Sequence, residues 1–336
     1  MALKILCGFA LTLAWVLLLG GTAWAATAMV LHLNGAARVL ALTALAASAA
    51  AVAVLLVQGR PGSALGAGLL ATLVVGLWYQ TIRPQADRDW APELAHGVGA
   101  RLDGDIVHLS NLRDFDWETP DHARTERWFD RTHDLADLRE VEFFTSVWNS
   151  EAIAHLLVSF GFADGRRTVF SAEIRRSRDQ EFSEIGGFFR QFELILLGAS
   201  ERDILRLRTD IRKERVSRWP LQLNETQMRE LFLSYVMLAQ DLQAEPRFYN
   251  TLTANCTTMV FRLARSFDAA LPMDWRLLLS GYVPEYLAQI GVLQGQGEAG
   301  AMRASALITP LGQSRPAGAD YSAWIRGDRV PERPED

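Results

Sequence analysis

The sequence predicts an α+β domain with an antiparallel sheet and a cysteine-bearing helix, preceded by transmembrane helices. Three observations predict it. The N-terminal stretch carries long uncharged apolar runs. Two β-rich runs flank Ala163-Asp164-Gly165-Arg166. Cys256 stands between polar residues and an apolar helical run.

The membrane region comes first. Ile5 to Leu31 and Val39 to Val57 carry no charge, and Ala64 to Tyr79 extends on both sides, from Pro61 to Ile82. About 20 apolar residues cross a bilayer core. Trp78 and Tyr79 close the third segment, where aromatic side chains favour the membrane–water interface. Lys4 before the first span and Arg60 in the second loop put the N-terminus inside, with Arg38 pulling weakly the other way. Ala23-Trp24-Ala25 also fits a cleavage site after an apolar segment, so the first span reads equally as a signal peptide. Both readings leave everything after Arg83 outside. The expected organisation is a membrane region over 1–83, a polar linker over 84–105, a thiol domain over 106–293 and an extension over 294–336, with its end frayed.

Within the domain, Ile106 to Leu109 reads as a short strand. The charged, aromatic stretch from Asn111 to Leu135 reads as an extended loop, and Arg113 to Arg131 within it as more a solvated cover over the core than a substrate-facing flap. Val141 to Val147 reads as a strand. Asp-Gly between β-rich runs is a strong hairpin signal, giving strands over Ile153–Phe162 and Arg167–Ile174. Counting outward from that turn puts His155 opposite Glu173 or Ile174, and the first register places Ser171 one diagonal away. Phe192 to Gly198 is a further strand, and Glu201 to Arg215 begins a helix. Asn224 caps a helix whose Met228, Leu231, Phe232, Tyr235 and Leu238 recur at core spacing. Cys256 opens the next helix, with Met259, Val260, Leu263 and Phe267 on its apolar face.

The 336 residues carry a net charge of −5 and no block of like charges, which argues against a nucleic-acid partner. No phosphate loop, HExxH or CxxC occurs, so no cofactor or metal is expected. Of two cysteines, Cys7 falls at the membrane, leaving Cys256 a lone thiol in an exported domain. A cysteine at a helix start meets the positive end of the helix dipole, which favours the thiolate. A histidine beside it would protonate a leaving group, and a third polar residue would fix the imidazole. Cys256, His155 and Glu173 are the right types for thiol acyl transfer, with Asn255 and Ser171 as oxyanion and supporting groups. A lone cysteine is also commonly a small buried hydrophobe, and a histidine on an apolar strand a satisfied core residue. The other histidines lie in the membrane region (His32) or in or beside polar stretches (His96, His108, His122 and His133). Trp117, Trp128 and Trp148 have the area for an acyl groove, though burial is the commoner reason for tryptophan.

The segments NLRDFDW, IAHLLVSFGFADG, SAEIRRSRDQEFSEIGGFFRQFELI, ERDILRLR and FYNTLTANCTT, in that order from about Ile106 to Gly291, resemble the Lnb-type periplasmic domain family. The resemblance implies a permuted papain/NlpC-like thiol fold in which histidine precedes cysteine. It places His155 and Cys256 at the dyad positions, with Glu173 as the third group. It further implies an inner-membrane protein with a periplasmic domain that acts on a membrane lipid or lipoprotein, as in lipoprotein N-acylation. In the acyltransferase of that family the membrane part follows the thiol domain; here the apolar spans precede it. A cysteine peptidase or amidase acting on a peptide or cell-wall link, and a non-catalytic membrane-anchored binding module, stay open on the residues alone.

Overall fold

The computed structural model describes residues 2–85, 88–183, 185–251, 253–267, 272, 274–293 and 299–331. The side chains of Lys4, Cys7, Leu263 and Phe267 and the chain end at 332–336 lie outside what is described. The chain divides into two compact units, Met1–Gln85 with Ser183–Gln191, and Ala86–Phe182 with Phe192–Asp336.

The first unit holds helices α1 (Ala2–His32), α2 (Gly35–Val57) and α3 (Pro61–Thr81). All three are long and apolar enough to cross a membrane, with spans over Gly8–His32, Gly35–Val57 and Pro61–Thr81. Their connections are short. Gly59 turns the chain at φ 69°, a left-handed conformation that a side chain would strain, and Pro61 then starts α3. Phe189, Ala28 and Tyr79 form a small buried cluster. The Trp24 ring meets Tyr79 edge-on at 4.9 Å, and His32 Nε2 lies 2.5 Å from the Phe189 carbonyl oxygen.

The second unit is built on strands β1 (Gly99–Asp103), β2 (Ile106–Arg113), β5 (Trp128–Asp134), β6 (Leu138–Val147), β7 (His155–Phe162), β8 (Arg167–Arg175), β9 (Glu193–Ala199) and β10 (Arg215–Pro220). They form one sheet in the order β1-β2-β9-β8-β7-β6-β10, with β5 also paired to β2. Every pairing is antiparallel except β2 with β9. Strands β3 (Asp116–Thr119) and β4 (His122–Thr125) make a separate hairpin. The fold is mixed α+β with an antiparallel-dominated sheet, preceded by apolar helices.

Helices cover both sheet faces. Phe160 and Phe170 pack against Phe232 and Tyr235 of α5 (Glu225–Ala244), and α6 (Cys256–Phe267) joins this layer. Asn224 and Gln227 form a capping box that starts α5. On the other face Phe144, Leu157, Val169 and Val216 meet Ile204 and Leu205 of α4 (Glu201–Arg206). The same cluster includes Ile308, Tyr321 and Ile325.

Three stretches differ from the sequence reading. The charged run after Asn111 is strand, not loop. In β5 burial alternates along Trp128–Asp134, but Arg131 and His133 stand on the buried side beside Phe129, opposite exposed Asp130 and Thr132, and these polar residues on both faces mask the period of two. Arg113, Phe115, Trp117 and Arg131 are buried, which fits neither a flap nor a solvated cover. The stretch with linker composition contains β1. The Gly-, Ala- and Pro-rich tail, over 299–331, forms α8 (Ala299–Ala306), α9 (Thr309–Gln313) and α10 (Tyr321–Trp324), after α7 (Val283–Gln289). Buried Tyr321 and Ile325 hold it, together with Arg326, which bonds Glu201 at 2.7 Å and also pairs with Glu142.

Candidate active site

Asn255 fixes the start of α6. Its Oδ1 accepts from the Thr258 backbone N–H at 2.8 Å, while Thr258 Oγ1 accepts from the Asn255 N–H at 2.9 Å. This is a reciprocal cap, and it sets Cys256 in the first helical turn. Asn255 Nδ2 donates to the Thr251 carbonyl at 2.6 Å. Both polar atoms of that side chain are therefore used in the turn, and its contribution is to position the cysteine. Cys256 is a free thiol, partly exposed.

His155 begins β7. The β7–β8 ladder runs Gly161↔Arg167, Phe160↔Thr168, Ser159↔Val169, Val158↔Phe170, and the same register extended past its last pair sets His155 against Glu173, the first of the two registers considered. His155 Nε2 lies 3.0 Å from Glu173 Oε1 and 2.7 Å from Ser171 Oγ. Ser171 Oγ donates to the same Oε1 at 2.8 Å. His155, Ser171 and Glu173 share the sheet face of Leu157 and Val169, whereas Cys256 arrives on a helix from the opposite layer. The two meet at the strand end, where the His155 ring and the Leu156 backbone N–H lie close enough to act on the Cys256 thiol. With Nε2 facing Glu173, Nδ1 is the ring nitrogen left for sulfur.

The electrostatics follow from these contacts. Burial opposes protonation of His155, but Glu173 and Cys256 outweigh it and raise its pKa from 6.5 to about 9. Burial likewise opposes ionisation of Glu173, yet His155, Arg208 and Ser171 hold it well below the usual carboxylate range. Burial pushes the Cys256 thiol up, and the bonds and charge from His155 with the Leu156 N–H bring it below its ordinary value. The arrangement shifts the balance towards a thiolate–imidazolium pair.

Sequence reasoning missed Arg208. A π-turn over Leu207–Ile211 follows α4 and carries it into the site, buried. Arg208 Nη2 donates to Glu173 Oε1 at 3.0 Å and Nη1 to the Ile204 carbonyl at 2.9 Å. Behind it, Glu214 lies 4.0 Å from Arg208 Nε and accepts from Ser146 Oγ, the neighbour of His155 on β6. The available signal was a basic residue inside the apolar run Ile204-Leu205-Arg206-Leu207-Arg208. Of the other candidates, His133 is buried and neutral, bonded to Thr168 Oγ1 at 2.9 Å and stacked on Phe162. Burial and then Arg131 lower its pKa to about 3. Trp117 is packed in the core and bonded to Asp203; Trp148 is exposed.

Residues 124–281 match the Lnb N-terminal periplasmic domain family. The match takes in His155, Ser171, Glu173, Arg208, Asn255 and Cys256 and covers less than half of the chain. No curated protein and no solved structure matches. An Lnb-type periplasmic domain preceded by three apolar helices fits an inner-membrane protein whose main domain is periplasmic.

Proposed function

We propose that this protein performs cysteine-dependent acyl transfer at the outer face of the inner membrane. The observation that carries the reading is the Cys256 thiol at a capped helix start, beside an imidazole whose Nε2 faces Glu173. In this mechanism the Cys256 thiolate attacks an ester or amide carbonyl. The backbone N–H groups at the start of α6 stabilise the oxyanion. The His155 imidazolium gives its proton to the departing alcohol or amine, leaving a thioester on sulfur. Neutral His155 then takes a proton from an incoming amine as it attacks the thioester, and the thiolate departs beside a restored imidazolium. Glu173 orients the ring and stabilises its charged form.

Membrane attachment supports a lipid ester as acyl donor and a lipidated N-terminus as acceptor, because both substrates then share a surface with the enzyme. The order histidine, then cysteine, along the chain supports a permuted papain/NlpC-like ancestry within a thiol domain over 106–293. Water in place of the amine makes the same site a hydrolase.

Labelling of the full chain in detergent by an activated acyl ester tests the chemistry. Wild-type protein acylates at Cys256, and Cys256→Ala does not; equal labelling of both would leave only a binding module. Mass spectrometry of lipoprotein N-termini in a deletion strain tests the acceptor. Accumulated diacyl forms support N-acylation, and unchanged termini with hydrolysed probe point to the hydrolase.

A further inference from the structure

A carboxylate is an awkward third group for a thiol site. It stabilises the imidazolium but repels the thiolate that must form beside it, and Glu173 does act to raise the Cys256 pKa. A neutral amide would orient the ring without that penalty. The fold answers with a second buried charge. Arg208 sets a guanidinium 3.0 Å from the same carboxylate oxygen that faces His155, and its other nitrogen is tied to the Ile204 carbonyl. We propose that Arg208 is a positioning residue that cancels the charge of Glu173 towards Cys256, so that the carboxylate orients His155 without suppressing the thiolate.

This proposal rests on the reading of Cys256 as a thiolate nucleophile. The charged groups around the site come from several elements. Cys256 on α6, Glu173 on β8 and Glu214 before β10 are the anions. His155 on β7 and Arg208 in the π-turn are cations, and Arg212, 3.9 Å from Glu214, is the third. The cluster is therefore balanced only while Arg208 is present. Tyr235 on α5 and Tyr249 also face Cys256, and burial followed by the thiolate's charge keeps both hydroxyls protonated. An arginine suits this place because its guanidinium stays charged when buried and its fork reaches two acceptors at once.

The test is the pH dependence of iodoacetamide alkylation on the full chain in detergent, read by mass spectrometry on the Cys256 peptide so that Cys7 does not contribute. The wild-type acid midpoint lies below the ordinary thiol value of about 8.5. Arg208→Gln, which keeps a hydrogen-bond donor and removes the charge, raises that midpoint by about one unit or more. Arg208→Lys stays close to wild type. Arg208→Gln combined with Glu173→Gln, which removes both charges, returns the midpoint to within a few tenths of wild type. A merely structural arginine would leave the double variant as shifted as Arg208→Gln, and that result overturns the proposal, as does an unmoved midpoint in Arg208→Gln. If Arg208→Gln fails to fold, the neutral double variant alone decides, since a raised midpoint there refutes charge cancellation. A wild-type midpoint at the ordinary thiol value would instead refute the nucleophile reading itself.

Discussion

Two carboxylates, Asp203 and Glu173, each take a buried arginine, and they are held in opposite ways. Asp203 is fully enclosed. Both of its oxygens are used, by Arg113 Nε at 2.7 Å and Nη2 at 3.0 Å, by the Phe115 N–H at 3.0 Å and by Trp117 Nε1 at 2.7 Å. No partner there titrates near neutrality. Glu173 keeps 20% of its side-chain surface exposed and gathers His155, Ser171 and Arg208 on one oxygen. One partner is an imidazole beside a thiol. Saturation with permanent donors makes a fixed joint, and sharing with a titratable donor makes a site that can move a proton. The two are linked, because the segment that Asp203 anchors continues into the π-turn carrying Arg208.

The contrast breaks first on chemistry. Cys256→Ala should lower acyl-probe labelling at least ten-thousandfold, in line with removal of a nucleophile that acts as one unit with its base. Thermal unfolding should move by no more than a few degrees, since the thiol is partly exposed. Asp203→Ala should behave in reverse. It leaves Arg113 charged and buried, a loss of about 3–5 kcal/mol. The unfolding temperature of the full chain should drop by about 10 °C. Labelling by whatever protein remains folded should stay within a few-fold of wild type. Lost labelling in a folded Asp203→Ala protein would mean that the two carboxylates are not separable.

Glu173→Gln sharpens the comparison through pH. Labelling should fall about a hundredfold, the range expected when a proton-transfer group loses its partner. The alkaline limit of labelling, set by His155 near 9 in the wild type, should fall towards 6.5, because the carboxylate is what favours the imidazolium. Stability follows the same sign. A histidine whose folded pKa is raised stabilises the fold fully below its ordinary value of 6.5 and loses that contribution as pH rises through about 9. The wild-type advantage in unfolding temperature over Glu173→Gln should therefore shrink between pH 6.5 and 9. An advantage constant across that window would remove His155 from the account.

Much of the site was legible because it depends on local signals. Asp164-Gly165 fixed a turn, and the turn set a register in which His155 meets Glu173. The polar run before Cys256 marked a helix start, and Asn255 supplies its cap. Arg208 was illegible because its place depends on a π-turn, one residue out of α-helical phase, and on a contact with a strand far away in sequence. The strands after Asn111 were hidden by charged side chains that the fold buries in pairs, as Arg113 with Asp203. The order within the tail likewise comes from Tyr321, Ile325 and Arg326 finding distant partners, which composition does not reveal.

The smallest expected effect concerns the serine between the two halves of the site. Ser171 Oγ donates to Glu173 at 2.8 Å, so towards His155 Nε2, 2.7 Å away, it acts as the acceptor. The Nε2–H therefore has two acceptors, a hydroxyl and a carboxylate oxygen 3.0 Å away. Ser171→Ala removes the weaker one and leaves the charged bond intact. A neutral hydrogen bond contributes about 1 kcal/mol, so labelling should fall about fivefold and the alkaline limit should stay within a few tenths of wild type. The serine beside the other carboxylate's backbone, Ser200, caps α4 by accepting from the Asp203 N–H at 3.1 Å and donates to Asp114 at 2.6 Å. Its loss should appear in unfolding temperature, by about 1–2 kcal/mol of stability, and not in labelling. A Ser171→Ala protein that loses labelling as completely as Cys256→Ala would make the hydroxyl, and not the carboxylate, the group that orients His155.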